Sequence, residues 1–348
     1  MAVIYKNRDF FLIDHREFIT SVYKNTFTTE NGTKSFSMIA KLFSIINVDK
    51  HQSNRKRPRN SESLQEETAT VKGIYQRLID EVPSKIKGSL ISNYKLLDTS
   101  GVRDLSKQLF EATIFDLLGV KGGNNADTAL KCSLKESNFL IPPKSSFYCG
   151  CVKEQCLKLD GFKFDILIAD PPWWNKYIRR LKSANDKLSY SMMYNEDIAA
   201  IPVQNLLSEN CLVAVWCTNA PSNVAAVKKI IFPKWGVEYV ATWYWLKVTV
   251  DLQPLCGFGT GSKKQPYERI ILGRVGDIND VPDCQLVVSV PSALHSHKPP
   301  LLDILTPFVK IENPQTVELF ARYLLPNTTS VGYEPLKWQH HSLYEEVT

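Results

Sequence analysis

Phe164-Asp165-Ile166-Leu167-Ile168-Ala169-Asp170-Pro171-Pro172-Trp173 decides how this chain is read. The first six residues are mostly apolar, carry no helical spacing, and stop at an acid followed by two prolines. A short apolar run of this kind reads as a strand buried on both faces. Proline has a fixed φ and no amide donor, so the strand ends where Pro171 begins. Asp170 and Trp173 therefore stand at the carboxyl end of a strand, on two rigid backbone units.

The same rhythm continues toward the C-terminus. Apolar runs at 212–217, 237–248, 269–275, 285–290, 317–322 and 329–332 read as strands, and 195–207, 222–231 and 300–308 read as helices. Near-continuous apolar strands separated by helices predict an α/β domain over 141–348, with a mainly parallel, doubly wound sheet. In such sheets ligands sit beyond the carboxyl ends of the strands, where Asp170 falls.

Residues 1–140 read differently, as a mostly helical accessory region. Apolar segments at 3–22 and 36–48 are followed by a polar stretch, 51–70, which reads as a flexible linker near 49–70. It contains Arg55-Lys56-Arg57-Pro58-Arg59, a basic run that fits a nuclear-localisation signal, a nucleic-acid patch or a solvated charge run alike. Ile74, Leu78 and Ile79 share a helical face, as do Leu105, Leu109, Ile114, Phe115 and Leu118. Residues 119–125 read as a stop and a loop.

Composition narrows the class. With 44% hydrophobic and 22% charged residues over 348 positions, a disordered or fibrous chain is excluded. The net charge of +6 permits a polyanionic partner without requiring one. No stretch approaches the ~20 apolar residues of a membrane span, and no signal peptide is read at the start, so a soluble, intracellular protein is expected. The eight cysteines form no C-x-x-C pair, so reduced thiols are expected and no metal site.

Asp170-Pro171-Pro172-Trp173 suits one chemistry well. The lone pair of an aromatic amine such as that of adenine is delocalised into its ring, so the amine is a poor nucleophile. An acceptor on each amino hydrogen frees that lone pair. The Asp170 carboxylate and the Pro171 carbonyl are such acceptors. Pro171 and Pro172 hold the loop before substrate arrives, and Trp173 offers a face on which a base can stack.

Further stretches carry a family resemblance. Ile-Pro-Pro-Lys-Ser-Ser-Phe at 141–147, Asp-Pro-Pro-Trp at 170–173, Pro-Tyr-Glu at 266–268, Ile-Leu-Gly-Arg-Val at 271–275, Leu-His-Ser-His-Lys-Pro-Pro at 294–300 and Glu-Leu-Phe-Ala-Arg at 318–322 stand in one order. Together they resemble the DPPW adenine-N6 methyltransferases, the methyltransferase-like four branch most of all. The resemblance implies a Rossmann-like, S-adenosylmethionine-dependent fold, permuted so that the catalytic motif precedes much of the donor-binding half. It implies that Lys298 pairs with the donor carboxylate and that Glu318, Phe320 and Arg322 hold the donor ribose region, with Asp170 beside it. Tyr190 then lies beside the target base and Glu268 in a loop near the substrate. Cys151 stands where the family has an acid, followed by Val152. Val331-Gly332-Tyr333-Glu334 stands where the branch has Trp-Gly-Asn-Glu. Both changes fall in the expected donor pocket.

Lys176, Arg179, Arg180, Lys182 and Lys187 read as an exposed basic loop for phosphate contacts, with Lys263, Lys264 and Arg269 added to it. The expected substrate is RNA before DNA, with 2′-O-methyladenosine of small nuclear RNA implied by the resemblance. Nuclear residence, with cytoplasm second, follows from the basic run and that substrate. The sequence leaves protein partners and oligomeric state open, a monomer among the options, and no membrane partner is expected. The alternatives are a DNA adenine methyltransferase and a non-catalytic nucleic-acid-binding scaffold. A cytosine amino-methyltransferase fits Asp170 and Trp173 less well. The glycine-rich stretch 257–263 has no phosphate-loop spacing, and His295 and His297 are not spaced to share a metal.

Overall fold

The computed structural model describes residues 2–29, 32–44, 62–94, 101–113, 116–174, 192–259 and 265–347. In chain order the first half holds β1 (Val3–Lys6), β2 (Phe10–Ile13), α1 (His15–Tyr23), β3 (Thr26–Thr28), β4 (Gly32–Met38), α2 (Glu62–Glu81), α3 (Ser84–Tyr94), α4 (Val102–Ala112), β5 (Lys121–Asn124), β6 (Ala129–Leu134), β7 (Ser137–Ile141), β8 (Ser145–Cys149) and α5 (Val152–Lys158). The second half holds β9 (Phe164–Ala169), α6 (Asn195–Ala199), β10 (Leu207–Cys217), α7 (Pro221–Ala226), α8 (Phe232–Trp235), β11 (Glu238–Lys247), β12 (Tyr267–Val275), β13 (Leu286–Ser289), α9 (Leu302–Leu305), β14 (Thr316–Leu319), β15 (Thr328–Gly332) and β16 (Tyr344–Val347).

Eleven strands form one sheet in the order β1-β2-β13-β11-β12-β10-β9-β14-β15-β8-β5. The run β10-β9-β14-β15-β8 is parallel throughout. The sheet as a whole is mixed, because β12 runs antiparallel to both β10 and β11. Its centre is buried on both faces, and the alternation of side chains assigns the faces. Leu167, Ala169, Val213 and Val215 pack with α5 and with Ile198, Val227 and Trp235 on one face. Ile166, Ile168, Leu212 and Ala214 pack with Leu301, Ile304 and Leu305 on the other. Two helical layers on a parallel centre account for the near-continuous apolar runs.

Several expectations are corrected. The run 317–322 ends as a strand at Leu319. The helix expected over 195–207 stops at Ala199, before Pro202, and Leu207 already opens β10. Residues 119–125 hold β5 rather than a loop. Among the described residues of the first 140, strands stand beside the expected helices: β1 and β2 join the large sheet through β13. β3, β4, β6 and β7 build a second, five-stranded sheet that β16 completes from the other end of the chain. Asn7 explains the first hairpin: its Oδ1 accepts from the Asp9 and Phe10 amides at 2.8 and 2.9 Å, the short-range turn that asparagine favours.

The expected linker is corrected as well. Residues 62–70 belong to α2, while the basic run 55–59 and Ile114 and Phe115 lie outside the described residues. Val71, Ile74 and Leu78 of α2 are buried against β2 and β13. Docking of this apolar stripe, rather than propensity, explains why a polar stretch is helical. Leu78 is fully buried. Leu78→Ala is expected to cost about 2–5 kcal/mol, the usual range for such a truncation. Denaturant unfolding reads it, and a change below 1 kcal/mol would mean that α2 is not docked in solution.

Candidate active site

β9 carries Asp170 to the carboxyl end of the parallel run. β14 brings Arg322 beside it, because Leu319 is in register with Ala169. The Asp170 amide donates to the Leu319 carbonyl at 3.2 Å. Asp170 is buried. Its Oδ2 accepts from Arg322 Nη1 at 2.9 Å, and its Oδ1 lies 3.6 Å from Lys298 Nζ. A carboxylate has about four acceptor positions, so one cation on each oxygen leaves acceptor capacity. The Pro171 carbonyl accepts from the Trp173 amide and the Pro172 carbonyl from the Met193 amide, both at 2.8 Å. These bonds, with two fixed φ angles, hold the loop.

The cations belong to a longer chain of charges. Lys298 Nζ donates to Glu268 Oε2 at 2.6 Å, and Lys247 Nζ donates to Glu268 Oε1. Burial opposes the charge on Lys298, but Asp170 and Glu268 outweigh it and hold the ammonium above its usual range. Desolvation likewise opposes the charge on Glu268, yet Lys298 and Lys247 hold its carboxyl well below the usual carboxylate range. Lys298 also lies 5.1 Å from the Trp216 ring centroid, a cation–π contact.

Beside this chain lies a cavity of about 240 Å³, lined by Cys151, Val152, Lys153, Pro172, Met192, Met193, Asp197, Phe320, Ala321, Arg322, Tyr333 and Glu334. Three strand ends build it, those of β8, β14 and β15. Phe320 turns the chain off β14 with φ +63°, a left-handed conformation that costs a residue with a Cβ. Gly332 makes room for that turn: a Cβ there would lie 3.0 Å from the Ala321 carbonyl oxygen. Glu334 is held by Lys337 at 2.7 Å.

The family model described as MT-A70 matches residues 164–334, which hold both the motif and most of this cavity. The chain belongs to the MT-A70 family. It is 37% identical over 250 residues to mouse N(6)-adenine-specific methyltransferase METTL4, covering 68% of this chain and 49% of that protein. It is 40% identical over 215 residues to a Caenorhabditis elegans DNA N6-methyl methyltransferase, covering 60% and 56%. It is 34% identical over 212 residues to the N6-methyladenosine RNA methyltransferase MTA1 of Cryphonectria parasitica, covering 59% and 62%. The chain spans about half the length of the METTL4 proteins it matches.

Within this MT-A70 chain the residues expected at the donor sort themselves. Cys151, Val152, Phe320, Arg322, Tyr333 and Glu334 line one cavity, and Pro172 of the motif closes it. Apolar walls from Val152, Phe320 and Pro172 suit a nucleoside ring, and Arg322, Asp197 and Glu334 suit hydroxyl and charged groups. This donor set fits S-adenosylmethionine. Lys298 is not among the lining residues; its ammonium sits between Asp170 and Glu268. Glu318 does not line the cavity either but lies buried on β14, in register with Ser330. Two further expectations are corrected. Trp173 is only 7% exposed and its Nε1 donates to the Trp216 carbonyl at 2.9 Å, so it is a peg in the core rather than an open stacking face. Arg269 is buried and ion-paired with Glu67, so it is not part of a phosphate funnel. Tyr190, Lys176, Arg179, Arg180, Lys182, Lys187, Lys263 and Lys264 lie outside the described residues.

Sequence reading missed Lys247, Asp197 and the pair Trp174–Tyr194. That pair stacks beside the motif with ring centroids 5.9 Å apart at 19°. Among the described residues no group of three His, Cys, Asp or Glu side chains could hold a metal.

Glu318 gives this site a pH dependence. Burial, with Asp170 adding to it and Arg322 opposing, pushes the Glu318 carboxyl up to about 8. Between the unfolded value near 4.5 and 8, the folded chain holds a proton that the unfolded chain has lost. Stability therefore falls as pH rises through that window. Glu318→Gln mimics the protonated form. Its stability relative to the parent is expected to grow from pH 5 to pH 8 in paired denaturation curves, and parallel curves would show that Glu318 titrates normally.

Proposed function

We propose that this chain is an S-adenosylmethionine-dependent methyltransferase that modifies the N6 amine of adenine in nucleic acid, RNA before DNA. The observation that carries the reading is that Asp170 and Pro171 directly precede Pro172 and that the Asp170 carboxylate is bonded to Arg322, Pro172 and Arg322 both being residues that line the cavity. β9, which leads into the motif, precedes β14 and β15 in the chain yet lies beside β14 in the sheet, with β15 on the far side of β14. This supports a permuted Rossmann-like domain, with β14, β15 and the turn after β8 as the donor half.

The residue roles follow from chemistry. Asp170 accepts one amino hydrogen of the adenine and the Pro171 carbonyl the other, which draws the nitrogen out of conjugation and exposes its lone pair. Both acceptors are fixed before substrate arrives, so little reorganisation is needed. Arg322 and Lys298 orient the Asp170 oxygens. When bound, S-adenosylmethionine supplies the methyl group as an electrophilic carbon on sulfonium. The extra proton on the methylated amine is then within reach of the same Asp170 carboxylate. Val152 and Phe320 take the donor's ring, and Glu334 and Arg322 its hydroxyl groups.

The test uses labelled donor and short adenine-containing RNA and DNA strands, including one with 2′-O-methyladenosine, with nucleosides read by mass spectrometry. Asp170→Ala is expected to lower kcat by about 10²–10³, the effect of losing one preorganised polar contact in a transition state. Labelled N6-methyladenine absent from every strand, together with no donor binding, would favour the scaffold alternative.

Trp174 and Tyr194 take over the stacking role first given to Trp173. Tyr194 is 57% exposed and its ring covers Trp174 at the edge of the motif loop. Stacking of one base is worth about 1–3 kcal/mol. Tyr194→Ala is therefore expected to raise KM for the nucleic-acid strand at least about fivefold while KM for the donor stays unchanged. Equal effects on both constants would remove the platform from the account.

A further inference from the structure

We propose that Glu67, on helix α2 in the N-terminal region, is a positioning residue for the site: it fixes the Glu268 carboxylate and, through it, Lys298. Its significance for methyl transfer rests on the function proposed above; the contacts themselves do not.

Glu67 lies 201 positions before Glu268 and has no part in the motif stretches. Its carboxylate gathers four donors. Tyr267 Oη donates to Oε1 at 2.9 Å, Tyr244 Oη to Oε2 at 3.3 Å, and Arg269 Nε to Oε2 at 3.0 Å. Arg269 Nη2 donates to Oε1 as well, which makes the ion pair bidentate. The Arg269 side chain is 4% exposed and that of Glu67 17%, so water competes little for either. Arg269 Nη1 donates to Asn219 Oδ1 at 2.8 Å, and Asn219 Nδ2 donates to the Tyr267 carbonyl at 2.6 Å. The ring of contacts thus returns to the backbone of the residue next to Glu268.

Strand geometry converts this ring into a position for Glu268. Successive side chains on β12 point to opposite faces. Tyr267 and Arg269 are drawn to α2 on one face, so Glu268 between them is directed to the other, where Lys298 and Lys247 meet it. Both neighbours of Glu268 are anchored to one carboxylate, and that carboxylate comes from a segment whose sequence reads as a linker. The N-terminal region is on this account a working part of the site rather than an appendage.

The test reads Lys298 directly. Full-length protein is treated briefly with acetic anhydride, and the modification rate of each lysine is followed by mass spectrometry. In the parent chain Lys298 reacts slowly. In Glu67→Gln its rate is expected to rise about tenfold, the change that one pKa unit makes in the free-amine fraction, and to match that of Glu268→Gln. Lys310 and Lys144 on the surface serve as references and should not change. The double variant should be no faster than Glu268→Gln alone. Tyr267→Phe, which removes one donor and leaves the ion pair, should give a smaller rise at the same lysine. A parent-like Lys298 rate in Glu67→Gln would overturn the proposal. So would a rise at all lysines together, which marks general loosening, or additive effects in the double variant. A parent chain that methylates nothing would sink the proposed function and leave this outcome standing on its own.

Discussion

Asp170 is a carboxylate held almost out of water, and the rest of the site is arranged so that it can stay there. Burying an ionised carboxylate is costly unless cations and hydrogen bonds replace its hydration. Here Arg322 and Lys298 come from separate segments to meet its two oxygens. Lys298 is itself buried, and so needs Glu268; Glu268 in turn holds Lys247. One buried charge thereby recruits β9, the chain beyond β14, the 291–300 segment, β12 and β11. Loss of any member removes one of the opposite charges that offset the desolvation of its neighbour, a larger cost than the loss of one surface ion pair.

Legibility in the sequence followed the range of the interactions. The run Phe164–Ala169 and its proline stop announce a central strand because the cause is local: apolar content on both faces and two missing amide donors. The lining of the cavity is a different matter. Cys151, Phe320 and Tyr333 meet only because β8, β15 and β14 are parallel and in register, with Gly332 opposite Cys149 and Leu319 opposite Val331. Spacing along the chain does not encode that register, and resemblance to a family supplied those residues instead. Short strands such as β1 and β3 carry too few residues to show a period. The polar start of α2 is helical because Leu78 and Val71 dock, a tertiary cause that local composition hides.

Residue type alone misled at two aromatic and basic positions. Trp173 follows the prolines and reads as the open stacking face, yet the loop turns its indole into the core and ties it to the Trp216 carbonyl. Trp174, one position on, remains at the edge with Tyr194 over it. A one-residue step along extended chain exchanges faces, so the motif's aromatic letter cannot by itself say which ring is free. Arg269 shows the same limit for charge. Its sequence neighbours are basic, but a buried guanidinium must find a carboxylate, and Glu67 is 202 residues away.

Glu318 completes the logic of the central carboxylate. It stands on β14, on the strand beside the one that ends in Asp170, and two ionised carboxylates there would repel each other in a medium of low polarity. Burial and Asp170 both push Glu318 toward its protonated form, up to about 8. At neutral pH a single negative charge therefore remains between the two acids, and the Arg322 guanidinium bonded to Asp170 has no second ionised acid to satisfy on β14. An ionised Glu318 would compete for Arg322 and weaken its hold on Asp170, the group on which the proposed amine chemistry depends. The buried neutral acid thus keeps the one charge that matters at the strand end, where the cavity opens.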